Sequence, residues 1–125
     1  MSLKLVATEK APAAVGPYSQ GVQVGNLLFT SGQIPLVPET GELISDIEKA
    51  TRQSLDNVKA ILEEAGSSLE KVVKVTIFVA DINDFGKINE IYAEYFSNHK
   101  PARSLVEVSN IPKGGVIEIE AIAQL

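Results

Sequence analysis

The feature that most constrains this chain is an alternation between residues 45 and 108, where helical and strand-like periodicities take turns. Ser45-Asp46-Ile47-Glu48 fits a capping box, in which the serine caps and the glutamate reaches back. Ala50, Ser54, Leu55, Val58, Ile61, Leu62 and Ala65 then follow helical spacing, with Arg52, Asp56, Lys59 and Glu63 on the outer face. Gly66 is a natural stop. Lys71 to Asp81 (KVVKVTIFVAD) is dense in β-branched residues and reads as an interior strand. Asn83 or Asp84 caps a second helix, whose buried stripe is Phe85, Ile88, Tyr92, Tyr95 and Phe96. Pro101 ends it, and a further strand follows. Two strand–helix–strand crossovers in one small domain predict a mixed sheet with both helices packed on one face.

The flanks supply the other strands. Leu3 to Thr8 is a first strand, and Lys10 to Pro17 (KAPAAVGP) an irregular loop. Ser19 to Val24 and Leu27 to Ile34 form a hairpin across Gly25-Asn26, which can supply positive φ angles. Pro35 to Leu43 is a turn-rich connection. The order is β-β-β-α-β-α-β-β, an α/β (α+β) fold in a single domain spanning residues 1–125.

The C-terminal stretch PARSLVEVSNIPKGGVIEIEA (Pro101 to Ala121) holds two strands joined by a Pro/Gly turn. Side chains on a strand alternate between faces. Arg103, Leu105 and Glu107 therefore share one face and Ser104, Val106 and Val108 the other, while Glu118 and Glu120 oppose Ile117, Ile119 and Ala121. If these strands pair with their apolar faces together, Arg103 and the glutamates share the sheet face that no helix covers, with Thr76 and Phe78. That face is too apolar for solvent alone and reads as a subunit interface, with a pocket between chains. An arginine fork near a carboxylate on rigid strands suits a small carboxylic acid.

Composition narrows the classes. A net charge of −5 argues against a phosphate-backbone partner. With no cysteine there is no disulfide, thiolate nucleophile or cysteine-ligated metal. MSLKLVATEK lacks the apolar core of a signal peptide, and no apolar run approaches a membrane span of about 20 residues, so a cytoplasmic, soluble protein is expected.

Several segments resemble the reactive intermediate deaminase family, also called RidA or YjgF. They are APAAVGPYSQG (Ala11 to Gly21), TSGQIP (Thr30 to Pro35), TGE (Thr40 to Glu42), RQSLDNVKAILEEAG (Arg52 to Gly66), DINDFGKINEIY (Asp81 to Tyr92), PARSLVEV (Pro101 to Val108) and IEIEAIA (Ile117 to Ala123). The resemblance implies a chorismate-mutase-like homotrimer with sites in clefts between subunits. It implies hydrolysis of 2-imino (enamine) acids, such as 2-iminobutanoate and 2-iminopropanoate, to 2-oxo acids and ammonia. By motif, Arg103 is the carboxylate clamp and Glu118 the residue that positions or activates water. Tyr18, Ser31, Gly32 and Asn89 match pocket positions. Leu105 stands where many relatives carry cysteine, so backbone contacts there can survive but a thiol role cannot. The loop SNHK before Pro101 is short, which bears on the pocket mouth.

The chemistry asks for no metal or organic cofactor. Arg103 holds the carboxylate, Glu118 delivers water as a base tuned by burial, and Tyr18 or Ser31 meets the imine nitrogen. Each residue also has an ordinary reading. A strand arginine is usually an ion-pair residue, Tyr18 a loop packer, Ser31 a strand-end hydrogen-bonder and Asn89 a solvated polar group. Spacing alone does not separate Glu118 from Glu120; resemblance makes Glu120 structural. His99, alone near a helix end, favours the macrodipole rather than a metal. Two other functions compete: an RNA-cleaving translation inhibitor, and a non-catalytic, chaperone-like trimer that binds metabolites. The acidic balance weighs against the first.

Overall fold

Among the described residues the pattern resolves into six strands and two α-helices in the expected order: β1 (Leu3–Val6), β2 (Gly21–Val24), β3 (Leu27–Thr30), α1 (Ile47–Glu64), β4 (Val72–Val79), α2 (Phe85–Tyr95), β5 (Ala102–Glu107) and β6 (Ile117–Gln124). The computed structural model describes residues 2–125, so Met1, the first residue of the single-domain reading, lies outside it. Val24 pairs with Leu27 across the hairpin turn, where Gly25 takes φ +58°. Asn26 does not share that conformation, since Lys113 is the one non-glycine at positive φ among the described residues.

Helix α1 buries Ala50, Thr51, Ser54, Leu55, Asn57, Val58, Ile61 and Leu62 in one stripe, and Gly66 ends it at φ +84°. The cap is Asp46, not Ser45. Its carboxylate accepts from the Lys49 N–H at 3.0 Å, because the first helical residue is Ile47 and a carboxylate there also meets the positive helix end. Helix α2 lacks a side-chain cap: Asp84 makes no capping bond, and Asp81 instead accepts from the Asn83 N–H in the preceding 3₁₀ turn. Its buried residues are Ile88 and Ile91, followed by Phe96, whereas Phe85 stays 45% exposed at the sheet edge.

The sheet order is β1-β2-β3-β6-β4-β5, antiparallel throughout except for the parallel β4–β5 pair. The two C-terminal strands therefore do not pair; β4 lies between them. Burial explains the order. β6 sends Ile117, Ile119, Ala121 and Ala123 into the core and takes an interior slot, whereas no residue of β5 is fully buried and β5 takes the edge. The core joins these β6 residues to Val75, Ile77 and Val79 of β4 and the stripes of both helices. Burying each such Ile, Leu or Val contributes on the order of 1.5–3 kcal/mol before entropy is counted.

The register sets which side chains share a face. Val75 pairs with Arg103 and Ile77 with both Leu105 and Ile119, so Arg103 and Leu105 point to the helix-covered face. Phe78 pairs with Glu118 and Thr76 with Glu120, so these four point to the opposite, uncovered face. The expectation that Arg103, Leu105 and Glu107 lie beside the glutamates is thus overturned. β5 carries apolar residues on both faces, Leu105 and Val106, and alternation alone does not tell which one meets the core. Leu105 does, while Val106 is 44% exposed. Glu107 accepts from the Ile82 N–H at 2.9 Å at the foot of α2, away from both glutamates.

Candidate functional site

Two groups of polar side chains stand out, one on each face of the sheet. The first is built where β3 runs out. Beyond Thr30 the chain leaves the ladder and returns for one bridge, Gln33 with Ile119 of β6, through Gln33 N–H to Ile119 O (2.8 Å) and Ile119 N–H to Gln33 O (3.1 Å). This clamps Gly32 over Glu118 so closely that a β-carbon at residue 32 would overlap the Glu118 carboxylate. Glycine is required there by proximity, not by its backbone angles.

Ser31 is fixed beside it. Its N–H donates to Gln20 O at 2.8 Å and its Oγ to Ser19 O at 2.5 Å, which leaves the hydroxyl oxygen as an acceptor. The loop that carries Tyr18 is organised by Gln20, which is 4% exposed. The Gln20 Oε1 accepts from Thr8 N–H (2.6 Å), and its Nε2 donates to Thr8 O (3.0 Å) and Pro12 O (2.8 Å). Tyr18 is 53% exposed and stands at the rim. Together Tyr18, Ser31, Gly32, Ile34, Lys113 and Glu118 line part of a cleft of about 470 Å³. The far wall is held from α1, where Asn57 Nδ2 donates to Ile34 O (3.2 Å) and Leu36 O (2.9 Å). Burial in this cleft raises the Glu118 pKa above the usual carboxylate range, and the negative charge of Glu120 raises it further.

The second group lies at the edge strand, under α2. Arg103 Nη1 donates to Asn89 Oδ1 at 2.8 Å, and the guanidinium carbon sits 4.7 Å from the Tyr92 ring centre and 5.8 Å from that of Phe85. Residues 85, 89 and 92 recur at helical spacing, so one stripe of α2 meets the arginine. Leu105, two residues on, packs against the core on the same face. Helix α2 is tied to α1 by the bidentate Arg52–Glu94 pair (3.0 and 3.1 Å) and by Tyr95 Oη donating to Asp56 at 2.6 Å. His99 Nε2 meets Val72 O at 2.6 Å, and among the described residues no cluster of three or more His, Cys, Asp or Glu could hold a metal.

Tyr18, Ser31, Gly32 and Glu118 therefore come together, and Asn89 comes together with Arg103, but within one chain the two groups are separated by the sheet. The sequence reading did not single out Gln20, Asn57 or Lys113. Asn57 carried a signal: it is a polar residue inside the apolar stripe of α1. Lys113, at φ +60° in the turn before β6, carried none.

The family model described as Endoribonuclease L-PSP matches residues 8–125. The 2-iminobutanoate/2-iminopropanoate deaminase of Escherichia coli K12 is 56% identical over 123 residues, covering 96% of each chain. A RutC family protein of Pyrococcus abyssi is 56% identical over 124 residues, covering 98% of each. Among solved structures, Escherichia coli TdcF with bound serine superposes with a TM-score of 0.94 at 49% identity, covering 98% of each chain. The fold is that of these relatives, and no helix among the described residues is long and apolar enough to cross a membrane.

Proposed function

The chain belongs to the Endoribonuclease L-PSP family, the YjgF/RidA family, and from that premise we propose that it is a cofactor-free hydrolytic deaminase of 2-imino acids. Its substrates are 2-iminobutanoate and 2-iminopropanoate, released by dehydratases that use pyridoxal phosphate, and its products are 2-oxo acids and ammonia. A cytoplasmic setting, where such dehydratases act, belongs to the same proposal.

The observation that carries this reading is the half-buried Glu118 carboxylate, pressed against Gly32 in a cleft and with its proton affinity raised. A base poised nearer neutrality can take a proton from water as the water oxygen adds to the C=N carbon. The substrate reacts as the protonated iminium, so addition of water leaves a neutral amine, and the neutral Glu118 returns its proton to that nitrogen. The carbon–nitrogen bond then breaks as the carbinol oxygen gives its proton to the Glu118 carboxylate, which releases the 2-oxo acid and ammonia and passes the proton to solvent. Ser31, whose hydroxyl proton is committed to Ser19, serves as an acceptor for the imine N–H, and Tyr18 closes the rim.

The substrate carboxylate belongs to Arg103 in this scheme. A 2-imino acid is too short to touch Arg103 and Glu118 of one chain from opposite sheet faces. The proposal therefore includes assembly as a homotrimer, with Arg103, Asn89 and Leu105 from one subunit facing Glu118, Gly32, Ser31 and Tyr18 of the next. The uncovered sheet face, with Phe29 and Val106 each 40% exposed or more, is the surface offered for that assembly.

The test couples a threonine dehydratase to semicarbazide trapping of its imine product. The protein should lower trapping and Arg103→Ala should not. Unchanged trapping with wild-type protein overturns the reading. Tight binding of 2-oxobutanoate without turnover would instead favour a metabolite-binding trimer.

A further inference from the structure

Arg103 occupies a setting that needs explanation. It points to the face that buries Val75 and Ile77, where an uncompensated charge is costly. Yet among the described residues no carboxylate lies within 4 Å of it; the one ion pair is Arg52–Glu94. Its compensation comes from neutral groups, the Asn89 Oδ1 and the faces of two aromatic rings. Such partners stabilise a cation without cancelling its charge. A guanidinium has five N–H donors, and the bond to Asn89 uses one of them. Among the described residues the rest of the fork has no further hydrogen-bond partner.

We propose that Tyr92 and Phe85 are positioning residues that hold the Arg103 guanidinium plane in its carboxylate-binding orientation. This rests on the reading of Arg103 as the carboxylate clamp. The ring of Tyr92 is itself propped by Phe96, with centroids 4.7 Å apart, and Phe96 is buried. A rigid chain of contacts thus runs from the core through Phe96 and Tyr92 to the arginine. Among the described residues the buried Tyr92 hydroxyl has no hydrogen-bond partner, and the contact of Tyr92 with the arginine is made by its ring. Preorganising the fork cuts the ordering cost of binding and acts equally on bound substrate and transition state, which moves KM more than kcat.

The experiment measures KM and kcat for the dehydratase-generated imine, and binding of 2-oxobutanoate, in wild type, Tyr92→Phe, Tyr92→Leu, Phe85→Leu and Arg103→Ala. Tyr92→Phe keeps the ring and should stay within about twofold of wild type. Tyr92→Leu should raise KM roughly 5- to 30-fold with kcat within threefold, the range expected for a desolvated cation–π contact. Phe85→Leu, at an exposed position that tolerates change, should raise KM roughly two- to fivefold. The Arg103 Nε–H resonance should be ring-current shifted in wild type and Tyr92→Phe, and lose that shift in Tyr92→Leu. If Arg103→Ala raises KM while Tyr92→Leu and Phe85→Leu do not, this inference falls and the clamp stands. If Arg103→Ala leaves KM and 2-oxobutanoate binding unchanged, the clamp itself falls. Should Tyr92→Leu not fold, Phe85→Leu decides alone, and an unchanged KM there overturns the proposal.

Discussion

The glutamate cleft and the arginine cradle solve opposite electrostatic problems with opposite materials. Glu118 is surrounded by things that disfavour its charge: burial and the nearby Glu120. Arg103 is surrounded by things that favour its charge without neutralising it. The cleft raises the proton affinity of a carboxylate; the cradle surrounds a guanidinium with neutral groups that leave its charge uncancelled. The contrast teaches why the two lie on different walls. A salt bridge between them inside one chain would lower the Glu118 pKa and occupy the arginine fork, which would spoil both.

The sharpest way to break the comparison is to remove one function at a time. Glu118→Gln should lower kcat by roughly 10²–10⁴, the span of general acid–base catalysis, with 2-oxobutanoate binding kept. Turnover at the wild-type rate would remove Glu118 from the chemistry. Arg103→Ala should do the reverse, raising KM by about 30- to 1,000-fold for a lost charge-paired anchor, with the assembly unchanged in sedimentation.

Gly32→Ala probes the cleft without removing a charged group. Its methyl would displace the Glu118 carboxylate, so kcat should fall roughly tenfold or more while the thermal midpoint moves little. A wild-type kcat would mean that the carboxylate need not sit where it does.

pH sharpens the comparison further. Glu118 is a base only when ionised, so its raised pKa puts the acid limb of kcat above the usual carboxylate range. Glu120→Gln removes the like charge and should move that limb to lower pH, whereas Tyr92→Leu should leave it in place. The sign for stability follows from the same shift. A carboxyl whose folded pKa is raised favours folding while protonated, and that contribution is lost as pH rises through the folded value. Glu118→Gln should therefore gain thermal stability relative to wild type as pH rises from about 4.3, the unfolded glutamate value, through the folded one. A difference between the two melting curves that does not change with pH would contradict this.

The smallest effect belongs to the helix tie. Arg52→Ala removes an exposed ion pair and should shift the melting midpoint by no more than about 2 °C. A large rise in KM there would show that α2, and with it the cradle, is held more loosely than its core packing implies.

How far the sequence could be read depended on how local each decision was. The stripe of α1 and the stop at Gly66 were legible because helical spacing and caps are set within a few residues. The alternation of Ile117, Ile119 and Ala121 with Glu118 and Glu120 was legible for the same reason, and it put both glutamates on the uncovered face. The position of Arg103 was not legible. Leu105 and Val106 compete for the core with nearly equal hydrophobicity, and only the insertion of β4 beside β5 chose between them.

By itself, the sequence determined the inventory of this protein: six strands and two helices in order among the described residues, and the motifs that relate it to a family of deaminases. Tertiary structure alone decided which of those residues meet. Strand order is a competition for interior slots, settled by side-chain burial summed over whole strands; β6 won an interior place and β5 was left at the edge. That outcome turned Arg103 away from Glu118 and toward the rings of α2, because side chains on a strand have only two faces to choose from and the core claims one.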